Sequence, residues 1–127
     1  MKTSEQKKIL IVEDDEILLE ALKEKFEAAG FAVYLAHDGE SIVPLVSELQ
    51  PNIVLLDLLL PKRNGFLALG ELKSHADTVR IPVVVLSNLG QEDEVRAALN
   101  LGAAEYLIKT HYTLDEVLAK VSAHLGK

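Results

Sequence analysis

The sequence predicts a doubly wound α/β sandwich built on a parallel sheet, and three observations point there. Short apolar runs alternate with helix-period segments five times along the chain. Several of those runs are continuously apolar, as expected of strands covered on both faces. Parallel strands also need crossovers, and right-handed helical crossovers then place helices on both sides of the sheet. The length of 127 residues suits one core. We therefore expect one domain over residues 1–127, with its core at about 8–125 and no effector domain in this chain.

The elements follow in order. Lys8-Ile-Leu-Ile-Val12 reads as a buried strand. From Ile17 to Ala29, apolar residues at Ile17, Leu18, Ala21, Leu22 and Phe26 predict one helical face, stopped by Gly30. Phe31 to Ala36 predicts the second strand. Asp38 is placed to cap a helix reaching about Leu49, with Pro44 expected to kink or shorten it. Ile53 to Leu56 predicts the third strand, and Gly65 to Ser74 a short helix. Pro82 to Leu86 predicts the fourth strand, with proline at its first position, where a missing donor is tolerated. Gln91 to Asn100 reads as a helix ending near Gly102, and Ala104 to Ile108 as the fifth strand. Thr113-Leu-Asp-Glu116 is a capping-box pattern opening a last helix to about Leu125.

Composition excludes several functions. With 49% hydrophobic and 26% charged residues the chain is not of a disordered type. The absence of cysteine removes disulfides and thiolate metal sites and fits a reducing compartment. No stretch is apolar enough for a membrane span or a signal-peptide core, so a cytoplasmic location and no membrane partner are expected. The net charge of −7, from 13 basic and 20 acidic residues, argues against direct nucleic-acid binding. His37, His75, His111 and His124 lie in separate segments without ligand spacing and read as surface residues. No glycine-rich phosphate loop follows the first strand, which sets aside a nucleotide or flavin site there.

In open parallel sheets, ligands bind beyond the carboxyl ends of the strands. The first strand is followed by Glu13, Asp14 and Asp15, the third by Asp57, the fourth by Ser87 and Asn88, and the fifth by Lys109. Crowded carboxylates repel unless a cation or proton joins them. An all-oxygen cluster suits a hard cation, Mg2+ above all. A carboxylate nucleophile, a metal, a lysine and a hydroxyl suffice for phosphoryl transfer. Each residue also has a plainer reading: Asp15 as a helix cap, Lys109 as a surface lysine, Tyr106 as a half-buried strand aromatic, and Ser87 as a cap, although Gly90 separates it from the next helix. For Asp15 the cap is preferred. Asp57 resists a plain reading, because an acid after a buried strand must be satisfied by something.

The stretches from Ile9 to Asp15, Leu55 to Gly65, Val83 to Ser87 and Ala104 to Lys109 resemble the receiver domains of bacterial two-component response regulators, over essentially the whole chain. The resemblance implies a flavodoxin-like sheet of five strands in the order 2-1-3-4-5. It implies Asp57 as phosphoacceptor, Asp14 as a direct Mg2+ ligand, Glu13 acting through water, and the backbone carbonyl of Leu59 as a further ligand. Ser87 matches the switch hydroxyl, Lys109 the lysine that contacts the phosphoryl group, and Tyr106 the aromatic switch. Pro61 and Gly65 match loop and helix-start positions. The implied partners are a sensor histidine kinase or phosphotransfer protein and a downstream effector protein or domain, bound on the face of the fourth helix, fifth strand and fifth helix. A homodimer on phosphorylation is left open. The domain would be a signalling switch that catalyses its own phosphorylation and dephosphorylation, not a separate enzyme.

Departures from the family pattern carry their own expectations. Thr110 follows Lys109 where proline, often cis, is usual. A non-proline cis bond costs about 3 kcal/mol, so a trans bond and a different loop are expected. Asn88 replaces a small residue beside the acceptor, where it would narrow access or orient a water. Leu59 and Leu89 flank the acceptor and would slow hydrolysis of a phospho-aspartate. Asn64 should affect only local capping. A pseudo-receiver acting as a constitutive interaction module is the alternative, which the intact acid and lysine set argues against. A Mg2+-dependent aspartyl phosphatase would want a second acid two positions after the nucleophile, where Leu59 stands.

Overall fold

The computed structural model describes residues 6–40, 42–60 and 64–125. The strands are β1 (Lys8–Val12), β2 (Ala32–Ala36), β3 (Ile53–Leu56), β4 (Val83–Ser87) and β5 (Glu105–Ile108). The helices are α1 (Glu16–Ala28), α2 (Ile42–Leu49), α3 (Gly65–Leu72), α4 (Glu92–Leu101) and α5 (Leu114–Ala123), with a short 3₁₀ turn at Lys109–His111. All strand pairs are parallel, in the order β2-β1-β3-β4-β5. The predicted fold class and strand order both hold.

Alternate residues of each strand face opposite layers, which is why these runs are apolar throughout. Ile9, Ile11, Ile53, Leu55, Val84, Leu86 and Leu107 pack under α1 and α5, against Leu19, Leu22, Phe26, Val117 and Val121. Leu10, Val12, Val54, Leu56, Val83 and Val85 pack under α2, α3 and α4, against Ile42, Val46, Leu69, Leu72 and Ala98. Phe26 and Phe31 meet edge to face with centroids 5.1 Å apart, closing the far end of α1.

Caps delimit the helices. Asp15 is the N-cap of α1, its Oδ1 accepting from the N–H groups of Ile17 and Leu18. Asn64 caps α3 by accepting from Phe66 N–H at 2.7 Å, the local role expected of it. Gln91 with Glu94, and Thr113 with Glu116, form capping boxes on α4 and α5. Gly102 ends α4 at φ +116°, a conformation that favours glycine.

Two local expectations need correction, for Ile17 and Pro44. Ile17 is 85% exposed, and the buried stripe of α1 runs instead through Leu19, Leu22 and Phe26. At about 100° per residue Ile17 lies roughly 200° from Leu19, on the outer side. Asp38 Oδ1 accepts from Glu40 N–H at 2.9 Å just ahead of the helix, whose described residues begin at Ile42. Pro44 therefore falls in the first turn, where the N–H it lacks has no intrahelical acceptor, and the helix continues to Leu49. Ser87 is the last residue of β4 and the cap of α4 is Gln91, so the plainer reading of Ser87 as a cap, weakened already by Gly90, does not hold.

Candidate functional site

Strand register brings the polar residues together. Val12 lies opposite Leu56, and Asp57 N–H donates to the Val12 carbonyl at 3.0 Å, so Glu13 and Asp57 leave adjacent strands side by side. Ser87 lies opposite Ile108, which sets Lys109 one step beyond the sheet edge. The sequence alone placed these residues at strand ends; the pairing makes them neighbours.

Lys109 is the hub. Its Nζ donates to Asp57 Oδ2 and to Glu13 Oε1, each at 2.8 Å. Asp57 and Glu13 are buried. Asp57 Oδ1 accepts from Leu59 N–H at 3.1 Å, and Glu13 Oε2 accepts from Asp15 N–H at 3.0 Å. Asp14 is exposed and has no hydrogen bond or ion pair among the described residues. Glu13, Asp14 and Asp57 each offer an oxygen, all within 4.8 Å of one another. Such a set, oxygen only and in excess of the one lysine charge, fits a hard divalent cation.

The electrostatics follow from burial. Burial pushes Glu13 above the usual carboxylate value, the Lys109 hydrogen bond opposes this, and the Asp57 charge adds to it. For Lys109 burial pulls downward, but the hydrogen bonds to Asp57 and Glu13 outweigh it and hold the ammonium above its ordinary value. Tyr106 is raised by burial first, then by the charge of Glu94.

Ser87 is fully buried, and its Oγ accepts from Leu89 N–H at 3.4 Å, a long bond. Tyr106 is half-buried and its hydroxyl donates to the Leu89 carbonyl, tying β5 to the loop after β4. That acceptor is a backbone group, which no side-chain pattern could reveal. Leu59 is 53% exposed, Leu89 half-buried and Asn88 exposed, all in loops leaving β3 and β4 beside Asp57 and Ser87. No cis peptide bond occurs among the described residues, so Lys109–Thr110 is trans, as expected. Gly65 packs against the loop after Asp57: a Cβ there would lie 2.5 Å from Leu58 Cα. Pro61 lies outside the described residues. The four histidines are exposed and apart from the cluster.

Comparison with known proteins gives a consistent answer. The family model for the response regulator receiver domain matches residues 9–122. The chain is 39% identical over 120 residues to the transcriptional regulatory protein CpxR of Escherichia coli (strain K12), covering 94% of this chain and 50% of that protein. It spans about half the length of the curated relatives it matches. Among solved structures, a response regulator from Chloroflexus aurantiacus superposes with a TM-score of 0.88 at 27% identity, covering 97% of this chain and 100% of that one. The Mn2+-bound form of the response regulator Rcp1 superposes with a TM-score of 0.77 at 32% identity, covering 93% of this chain and 91% of that one.

Proposed function

Because this chain belongs to the response-regulator receiver family, we propose that it is a Mg2+-dependent phosphorylation switch whose acceptor is Asp57. The observation that carries the reading is Asp57 itself, buried at the end of β3 with Lys109 on one oxygen and a backbone N–H on the other. Asp14, Asp57 and the Leu59 carbonyl would hold the cation, with Glu13 behind them through water. The cation supplies charge neutralisation for the oxygens of the transferring group.

The chain's own residues do the rest. An Asp57 oxygen bonds to phosphorus as the bond from phosphorus to the donor's histidine nitrogen breaks. Lys109 moves from Asp57 Oδ2 to a phosphoryl oxygen, where its charge is matched again. Ser87 Oγ leaves the weak Leu89 N–H bond for another phosphoryl oxygen. Leu89 also holds the Tyr106 hydroxyl, so movement of this loop is felt at β5 and on the face of α4, β5 and α5. Leu59 and Leu89 restrict water at the acceptor, and Asn88 narrows the approach.

The phosphodonor is a sensor histidine kinase or phosphotransfer protein. The reader of the switched face is an effector protein or domain, or a second copy of the chain. No helix of the described residues is long and apolar enough to cross a membrane, which supports a cytoplasmic role without direct membrane contact. Incubation with Mg2+ and acetyl phosphate should add one phosphoryl group by intact mass, lost when Mg2+ is chelated. No adduct, and no binding of a beryllofluoride mimic, would overturn the reading in favour of a constitutive interaction module.

A further inference from the structure

The two neighbouring acids after β1 are used differently. Glu13 is only 2% exposed, and both its oxygens are occupied by protein donors, Lys109 Nζ at 2.8 Å and Asp15 N–H at 3.0 Å. Asp14 is exposed and has no such partner among the described residues. Lys109 thus has two carboxylate anchors, and only one of them is the proposed acceptor.

We infer that Glu13, besides its water-mediated place behind the cation, is a positioning residue for Lys109, and that at saturating Mg2+ its contribution to the rate of phosphoryl transfer runs through that lysine. The inference rests on the proposed acceptor role of Asp57. As Asp57 Oδ2 becomes committed to metal or phosphorus, Lys109 loses that partner. A lysine stem has large rotamer freedom, so a single transient anchor would let the ammonium leave the site. Glu13 is the anchor that chemistry at Asp57 does not consume. Its burial strengthens the contact, and the Asp15 N–H on Oε2 fixes the direction in which Oε1 points. Because Asp15 is also the N-cap of α1, the start of that helix holds the Glu13 carboxylate in place.

Glu13→Gln keeps the shape of the side chain and an oxygen for the Asp15 N–H. The test is the rate of adduct formation from acetyl phosphate at saturating Mg2+, for wild type, Glu13→Gln, Lys109→Ala and the double variant. Glu13→Gln should slow the reaction by about tenfold or more, as loss of supporting contacts commonly does. The double variant should be no slower than Lys109→Ala, because the two residues act as one unit. An independent readout is the NMR signal of the Lys109 ammonium in the Mg2+–beryllofluoride form. It should be resolved in wild type and lost in Glu13→Gln. If Glu13→Gln slows the Lys109→Ala protein by the same factor as wild type, or leaves the ammonium signal intact, the inference is overturned alone. If wild type takes up no phosphoryl group, the switch reading falls and this inference falls with it.

Discussion

The two ends of the sheet use their polar side chains in opposite ways. At the amino end they close loops mostly onto backbone carbonyls. Thr78 Oγ1 donates to the Leu72 carbonyl at 2.6 Å, and Lys73 Nζ donates to the Ile81 and Val79 carbonyls at 2.6 and 3.0 Å. Gln50 Nε2 bonds to the carbonyls of Ser47 and Asp77. At the carboxyl end the groups are charges, two buried carboxylates sharing one ammonium with a third acid open to solvent. The first end can be satisfied once, by folding. The second is balanced only until a new cation or a phosphoryl group arrives. The fold can therefore be held firmly at one end while the other responds to chemistry.

That contrast can be broken or sharpened experimentally. The largest effect should come from Gly65→Ala. Its Cβ would meet the backbone of Leu58 and Asp57 at 2.5 to 2.9 Å, which no side-chain rotation relieves. We expect a loss of about 3 kcal/mol in urea unfolding, together with reduced phosphoryl uptake, because the displaced backbone carries Asp57. Next, Mg2+ at a hundred times its dissociation constant should stabilise the protein by about 2.7 kcal/mol. Calorimetry should show this gain in wild type and much less of it in Asp14→Asn. At the other end, Thr78→Val removes a buried hydroxyl donor and leaves a carbonyl unpaired. It should cost about 1–2 kcal/mol while acetyl phosphate labelling stays at the wild-type rate. A change in labelling would show that the two ends are coupled.

The smallest effect is electrostatic. Glu13 has a folded-state midpoint above its ordinary 4.5, with burial as the first cause. Its contribution to stability is therefore complete below pH 4.5 and is lost as pH rises through the folded midpoint. Lys109 behaves likewise at the alkaline end: its contribution is present below 10.5 and lost as pH climbs through its raised midpoint. Urea melts at stepped pH should show stability falling as pH rises above 4.5 in wild type and not in Glu13→Gln.

The sheet was legible because five apolar runs admitted one architecture, and the carboxyl-edge rule then gathered Glu13, Asp14, Asp57, Ser87 and Lys109 without coordinates. Helix ends were legible where a capping side chain or a terminating glycine marks them, as at Asp15, Thr113 and Gly102. Helix faces were less so. Ile17 and Leu19 are both apolar and two residues apart, and only packing decides which of them turns inward. The Lys73 and Thr78 contacts end on backbone carbonyls, for which a sequence carries no mark. The shared hold of Glu13 and Asp57 on Lys109 also needed the fold, since 96 positions of chain separate Glu13 from its partner.

The most direct test of the central claim is to locate the phosphoryl group. After labelling with acetyl phosphate and Mg2+, borohydride reduction converts a phospho-aspartate to homoserine, and peptide mass spectrometry reads the position. The account predicts one converted residue, Asp57, and none in Asp57→Asn. Conversion at Asp14 or another carboxylate, or an undiminished adduct in Asp57→Asn, would contradict it.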